Sequence, residues 1–200
     1  MLILVFTLGV VQSLRTYWRA RRTVREQIDR PRPSRDEIQA LARSLDRPLP
    51  FILILVPARD ESAVIHNTLG RLAQLDYPPD RYAVVVITDA RERLGGADPT
   101  TYDVANAVAK MWITDREKSP VHVIEVPESY SGRFGDPAPT FARSTKGRAL
   151  NYALEYIRHH PRLSRADMLG ILDADGRMHP EVLREVAYLV LARGERLMQG

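Results

Sequence analysis

Asp173-Ala174-Asp175 places two carboxylates two residues apart, directly after the apolar run MLGIL (168–172). A hard divalent cation such as Mg2+ or Mn2+ takes one or two carboxylates and completes its shell with phosphate oxygens and water. The second carboxylate is equally able to accept a hydrogen bond from a sugar hydroxyl. Taken alone, the pair also fits an ordinary acidic turn. Lys146-Gly147-Arg148 opens a helical pattern after a glycine-containing loop. A helix start presents free N–H groups and partial positive charge, which suits phosphate, and lysine adds a point charge. A solvated basic turn has the same composition. Asp89 closes a second apolar run, AVVVI (83–87) followed by Thr88. There it can accept from a nucleobase N–H or serve a strand-end turn.

Other chemistries lose support. The chain has no cysteine, which removes thiol catalysis, disulfide scaffolds and Cys-ligated metals. Neither G-x-x-x-x-G-K-S/T nor G-x-G-x-x-G occurs, so P-loop and dinucleotide sites are not indicated. No serine sits in a nucleophile elbow, and the five histidines lack zinc-like spacing.

These residues need a scaffold that brings strand ends together. FILILV (51–56), AVVVI (83–87), VHVIEV (121–126) and MLGIL (168–172) are short apolar runs that read as buried strands. Helical patterns separate them. Asp60 or Ser62 is the expected cap of the first, with Val64, Ile65, Leu69, Leu72 and Leu75 inward. Asp98-Pro99 is the expected start of the second, with Val104, Val108, Met111 and Trp112 as its buried stripe. Lys146–Ile157 is the third. The fourth starts at Pro180 and carries Val182, Leu183, Val186, Leu189 and Val190. Leu197 and Met198 begin an expected fifth strand. The alternation predicts an α/β fold, a mostly parallel sheet with helices on both faces. In such sheets ligands bind at the carboxyl ends of the strands. That rule selects Pro57–Glu61, Asp89 and Asp173–Asp175.

Two hundred residues with 44% hydrophobic and 27% charged content suit one globular domain. The formal charge of +4 is unevenly placed. Residues 15–35 carry eight arginines against Glu26 and Asp29, so the remainder is slightly acidic and no nucleic-acid partner is implied. Residues 1–14 are uncharged and mostly apolar. A spanning helix needs roughly 20 apolar residues. The stretch therefore reads as the end of a membrane helix, with Tyr17 and Trp18 at the interface and the arginines in the cytoplasm. A plain packed helix is the alternative. The expected organisation is a membrane-proximal helix over 1–22, a linker with one short helix over 23–50, and the folded domain over 51–200. The linker helix starts at Ser34, and Ile38, Leu41, Ala42 and Leu45 form its narrow apolar face.

In order and spacing, FILILVPARDE (51–61), VVVITDA (84–90), STKGRALNYAL (144–154) and GILDADGRMHPEVL (170–183) resemble glycosyltransferase family 2, which has the GT-A fold, Rossmann-like in its nucleotide-binding half. The resemblance covers roughly residues 51–200, and it extends to the membrane-associated, cellulose-synthase-like members that build surface polysaccharides. It implies transfer of a sugar from a nucleotide-sugar donor, a UDP- or GDP-sugar, with inversion and with Mg2+ or Mn2+. It implies that Pro57, Ala58, Arg59 and Glu61 line the nucleotide pocket. Asp89 contacts the base, Lys146 lies near the diphosphate, Asp173 approaches the ribose or metal, and Asp175 binds the metal. Arg91–Gly96 departs from the family's compact turn after Asp89. The family's catalytic base lies further along than Asp-x-Asp. Glu181 and Glu185 read as exposed helical glutamates, so the base is expected beyond Gly200 and the isolated chain is expected to be inactive. The implied location is the cell membrane, with the domain on the cytoplasmic side. Two other readings stay open: a non-catalytic nucleotide-sugar-binding module, and a sugar-phosphate nucleotidyltransferase, whose glycine-rich loop after the first strand is missing here.

Overall fold

The structure is a computed structural model and describes residues 17–18, 32–111, 120–130, 132 and 146–194. It divides into two units, Met1–Arg32 and Pro33–Gly200. Of the first, only Tyr17, Trp18 and Arg32 are described, and the two aromatic residues are largely exposed. The rest of the expected 1–22 membrane segment lies outside the described residues. Among the described residues no helix is long and apolar enough to cross a membrane.

The second unit is α/β, as the alternation predicts. Four parallel strands, β1 (Ile52–Pro57), β2 (Tyr82–Asp89), β3 (Val121–Val126) and β4 (Met168–Ile171), stand in the order β3-β2-β1-β4. Their helices are α1 (Arg35–Ser44), α2 (Ile65–Leu72), α3 (Arg91–Leu94), α4 (Thr101–Met111), α5 (Lys146–His159) and α6 (Val182–Arg193). Strand side chains alternate between faces, which divides the core in two. Ile52, Ile54, Val56, Val84 and Val86 pack with Ile65, Leu69, Ala105 and Leu183 from α2, α4 and α6. Leu53, Leu55, Val85 and Ile87 pack with Ala153 and Ile157 of α5. A strand covered on both faces needs apolar residues at every position, hence the unbroken runs at β1 and β2.

Five expectations change. The folded unit begins at Pro33, not Phe51, because α1 is part of the body: Ile38 and Ala42 are buried. The Ser34–Glu37 capping box opens this helix as its sequence suggests. Arg35 and Arg184 both pair with Asp76, fastening α1 and α6 to the chain that follows α2. Secondly, neither Asp60 nor Ser62 caps α2; Val64 precedes it without a side-chain cap. Thirdly, α4 starts at Thr101, and the cap is Thr100, whose hydroxyl accepts from the Asp103 N–H while Asp103 accepts from the Thr100 N–H. The Thr100 hydroxyl also donates to Asp103 Oδ2 at 2.6 Å, and this bond, with that from the Thr100 N–H, holds the Asp103 carboxyl below its usual range. Fourthly, Met111 is 82% exposed; Val104 and Val108 pack against the core as expected, and small Ala105 and Ala109 are buried beside them. Lastly, β4 is not fully buried. Leu169 and Ile171 are 39% and 51% exposed, since α5 lies across β1, β2 and β3. Trp112, most of the loop at 127–145 and the expected strand at Leu197–Met198 lie outside the described residues.

His122 on β3 supplies a pH prediction. Burial pushes its imidazole down to about 4, helped by nearby His160 and Arg162. Among the described residues the buried Nε2 atom has no hydrogen-bond partner. The folded protein thus keeps His122 neutral while the unfolded chain takes up a proton below about 6.5. More protons on the unfolded side mean that stability falls as pH drops from about 6.5 toward 4, and this contribution levels off below. Urea midpoints at pH 7 and pH 5 measure the fall. His122→Phe should flatten it, and an identical slope in that variant would remove His122 as its cause.

Candidate functional site

The chain reverses its direction of travel across the sheet between β1 and β4, because β2 and β3 extend one way from β1 and β4 joins the other side. Parallel sheets open a crevice at the carboxyl ends of such strands. Here Leu55 pairs with Ile171, and the Leu172 N–H donates to the Leu55 carbonyl at 2.9 Å. Pro57–Glu61 and Asp173–Asp175 therefore leave the sheet side by side.

The Asp173–Asp175 turn is anchored by its middle residue. Ala174 is buried in the core, and its carbonyl accepts from Thr68 Oγ1 at 2.5 Å. With Ala174 held inward, both carboxylates stay exposed. The Gly176 N–H closes the turn on the Asp173 carbonyl at 2.8 Å. A Cβ at Gly176 would lie 2.6 Å from Leu172 Cδ1 and 2.8 Å from the Asp173 carbonyl oxygen. No side chain fits there without moving backbone, so the Asp-Ala-Asp turn requires the glycine that follows it.

Lys146, the first residue of α5, forms an ion pair with Asp173 Oδ1. The structure thus joins two expected site residues that are 27 positions apart in sequence. Their side chains are 51% and 67% exposed. An ion pair this open contributes little to stability, so a ligand phosphate can replace the carboxylate beside Lys146 at small cost. Asp175 has no partner among the described residues.

Asp89 is placed differently from Asp173. It sits beneath the surface, and Arg148 Nη1 donates to its Oδ2 at 2.8 Å. Its Oδ1 accepts from the Arg91 N–H at 3.1 Å. The side chains of Arg148 and Asp89 are only 2% and 8% exposed. Arg148 also donates to the carbonyls of Pro127, Tyr130 and Glu128. One guanidinium therefore fastens the start of α5 to the ends of β2 and β3. Burial lowers the Arg148 pKa, and the Asp89 carboxylate opposes that shift.

In the loop after β1, Pro57 ends the strand and Ala58 turns into the core, its N–H donating to the Ile87 carbonyl at 2.8 Å. Arg59 and Asp60 are exposed and lie 3.4 Å apart as an ion pair. Glu61 is half-buried. Two residues to which the sequence assigns no anchoring role hold this region together: Arg148, expected as part of the basic helix start, and Glu92, within the loop expected over Arg91–Gly96. Both are buried. Glu92 lies on the short helix α3, where the sequence pattern predicts only a loop.

No protein-family model matches the chain. It is similar to the beta-monoglucosyldiacylglycerol synthase of Synechocystis sp., at 27% identity over 139 residues, which cover 70% of this chain and 22% of that protein. The chain thus spans less than a quarter of the curated relative it matches. Among solved structures it is similar to the mannosyltransferase PcManGT of Pyrobaculum calidifontis in complex with GDP-Man and Mn2+: TM-score 0.48, 22% identity, 76% of this chain and 38% of that one. It is also similar to S. aureus TarS 1-349 in complex with UDP-GlcNAc: TM-score 0.44, 18% identity, 72% of this chain and 32% of that one.

Proposed function

We propose that the chain carries the donor-binding part of a family 2 glycosyltransferase with the GT-A fold, which takes a UDP- or GDP-sugar and transfers the sugar with inversion to an acceptor. The observation that carries this reading is the exposed Lys146–Asp173 pair beside Asp175, which has no partner among the described residues, at the β1/β4 crevice. It sets a cation for a diphosphate next to carboxylates for a metal. The four ordered motifs, and the similarity to a beta-monoglucosyldiacylglycerol synthase over 70% of the chain, support it.

The donor set fits Mg2+ or Mn2+: Asp175 and Asp173 are exposed, hard oxygen ligands two residues apart. Among the described residues no three His, Asp or Glu gather around one point. Two carboxylates alone hold such an ion weakly, so diphosphate oxygens would complete its shell and metal and nucleotide would bind together. The bound metal supplies Lewis-acid stabilisation of charge on the departing diphosphate. Lys146 adds a positive charge on the same group. Pro57, Arg59 and Glu61 border the nucleotide, with Ala58 contributing backbone only, and Asp89 supports the base pocket from below. The apolar start and the arginines of residues 15–35 support a place at the cytoplasmic face of the cell membrane, where each charge near anionic lipid contributes about 1 kcal/mol.

Titration calorimetry with UDP and GDP tests the reading. Binding of at least one of them should be measurable with Mn2+ and should fall at least about tenfold with EDTA, the loss of a charge-assisted contact. Equal binding with and without the metal would sink the metal-dependent reading. No binding of either nucleotide would sink the donor-site reading itself.

A further inference from the structure

We infer that Glu92 is a positioning residue for donor binding, its buried carboxylate holding the Arg59–Glu61 turn in the form that borders the β1/β4 crevice; this rests on the donor-site reading above. Glu92 is 3% exposed. Its two oxygens serve two separate elements. Oε1 accepts from the Asp60 N–H at 3.0 Å, and Oε2 accepts from the Thr101 N–H at 2.7 Å. Its own carbonyl accepts from the Ala97 N–H at 3.1 Å, which closes the segment around α3. A second tie runs parallel to the first: the Glu61 N–H donates to Thr101 Oγ1 at 2.9 Å.

The turn needs such support. Asp60 has φ 60°, a left-handed conformation that a non-glycine residue keeps only when its surroundings hold it there. The Glu92 carboxylate bonds the amide of that same residue. With the Asp60 and Glu61 amides both engaged on the α4 side, the turn offers the crevice its exposed Arg59 and half-buried Glu61.

Charge placement points the same way. A helix start attracts anions through its free N–H groups and its dipole. The start of α4 lies beside the β1 loop, and the carboxylate of Glu92 already occupies its Thr101 N–H. A donor diphosphate is thereby denied that position and left to the start of α5, where Lys146 stands. Glu92 acts on the site twice, by fixing the turn and by filling the competing anion position.

The test combines hydrogen exchange with nucleotide binding in the full chain. Glu92→Gln keeps size, but its amide nitrogen must face one of the two N–H donors. Glu92→Asp keeps charge, but one methylene less prevents it from spanning both. In Glu92→Gln, exchange of the Asp60 amide should speed at least about tenfold while amides in β1 and β2 stay protected. Mn2+-dependent UDP or GDP affinity should fall about tenfold. Adding Asp60→Gly should recover roughly threefold or more, because glycine enters positive φ without the Cβ penalty. A role confined to overall stability would raise exchange throughout and would gain no affinity from a glycine at one loop position. Should Glu92→Gln fail to fold, Glu92→Asp is judged by the same criteria. Unchanged Asp60 exchange in the variant overturns the inference whatever the nucleotide does. Wild-type binding with undiminished variant affinity overturns the inference alone. Absence of wild-type binding overturns the donor-site reading on which it rests.

Discussion

Asp175→Ala should weaken Mn2+-dependent binding of UDP or GDP by at least about tenfold. Asp175 is the exposed carboxylate of the Asp-Ala-Asp-Gly turn without a partner among the described residues, whereas Asp173 is tied to Lys146. A hydrogen bond or ligand contact to a charged group contributes about 1.5–3 kcal/mol, which corresponds to roughly ten- to hundredfold in affinity. Asp173→Ala removes the second proposed ligand but also frees Lys146, so its loss should be smaller. The stability of Asp175→Ala should stay within about 0.5 kcal/mol of wild type, because the side chain is exposed and Ala174, not Asp175, anchors the turn. Calorimetry with and without Mn2+, beside a melting curve, measures both quantities. Full metal-dependent affinity in Asp175→Ala would remove this residue from the metal site. A large fall in melting temperature would show instead that Asp175 supports the fold.

The largest loss of stability should come from Arg148→Met. The variant removes the buried, close partner of Asp89 and leaves the longer 3.9 Å contact to Arg91, and three carbonyls lose a donor. Breaking a buried ion pair from one side costs about 3–5 kcal/mol, much of it the desolvated charge left behind. For a domain of this size the melting temperature should fall on the order of 10 °C. Arg148→Lys should recover only part, since an ammonium group does not reproduce the planar fork that serves Asp89 and the carbonyls together. Combining Arg148→Met with Asp89→Asn should recover part of the loss by removing the stranded charge. Lys146→Ala, from the exposed pair only two positions earlier, should change stability by less than about 1 kcal/mol. Equal melting temperatures for Arg148→Met and Lys146→Ala would contradict the assignment of Arg148 as the latch between α5 and the ends of β2 and β3.

The sequence by itself determined the parallel sheet and the placement of the candidate carboxylates at its strand ends. FILILV and AVVVI are apolar at every position, which only a strand covered on both faces requires, and local pattern suffices to read that. The carboxylates and the lysine follow such runs directly, so their position at strand ends was legible as well. The capping box at Ser34 was equally local. Tertiary structure alone decided which charged residues are buried. Arg148 and Asp89 are 59 positions apart, and Glu92 and Asp60 are 32 apart. Nothing in a short window distinguishes such residues from solvated ones, because the partner that offsets the cost of burial lies elsewhere in the chain. For the same reason Ile38 looked like part of a linker helix until the surface it covers was in place. The exposure of Leu169 and Ile171 was likewise invisible in an apolar run. It depends on where α5 crosses the sheet, and the crossing is set by the packing of Ala153 and Ile157 against β1 and β2.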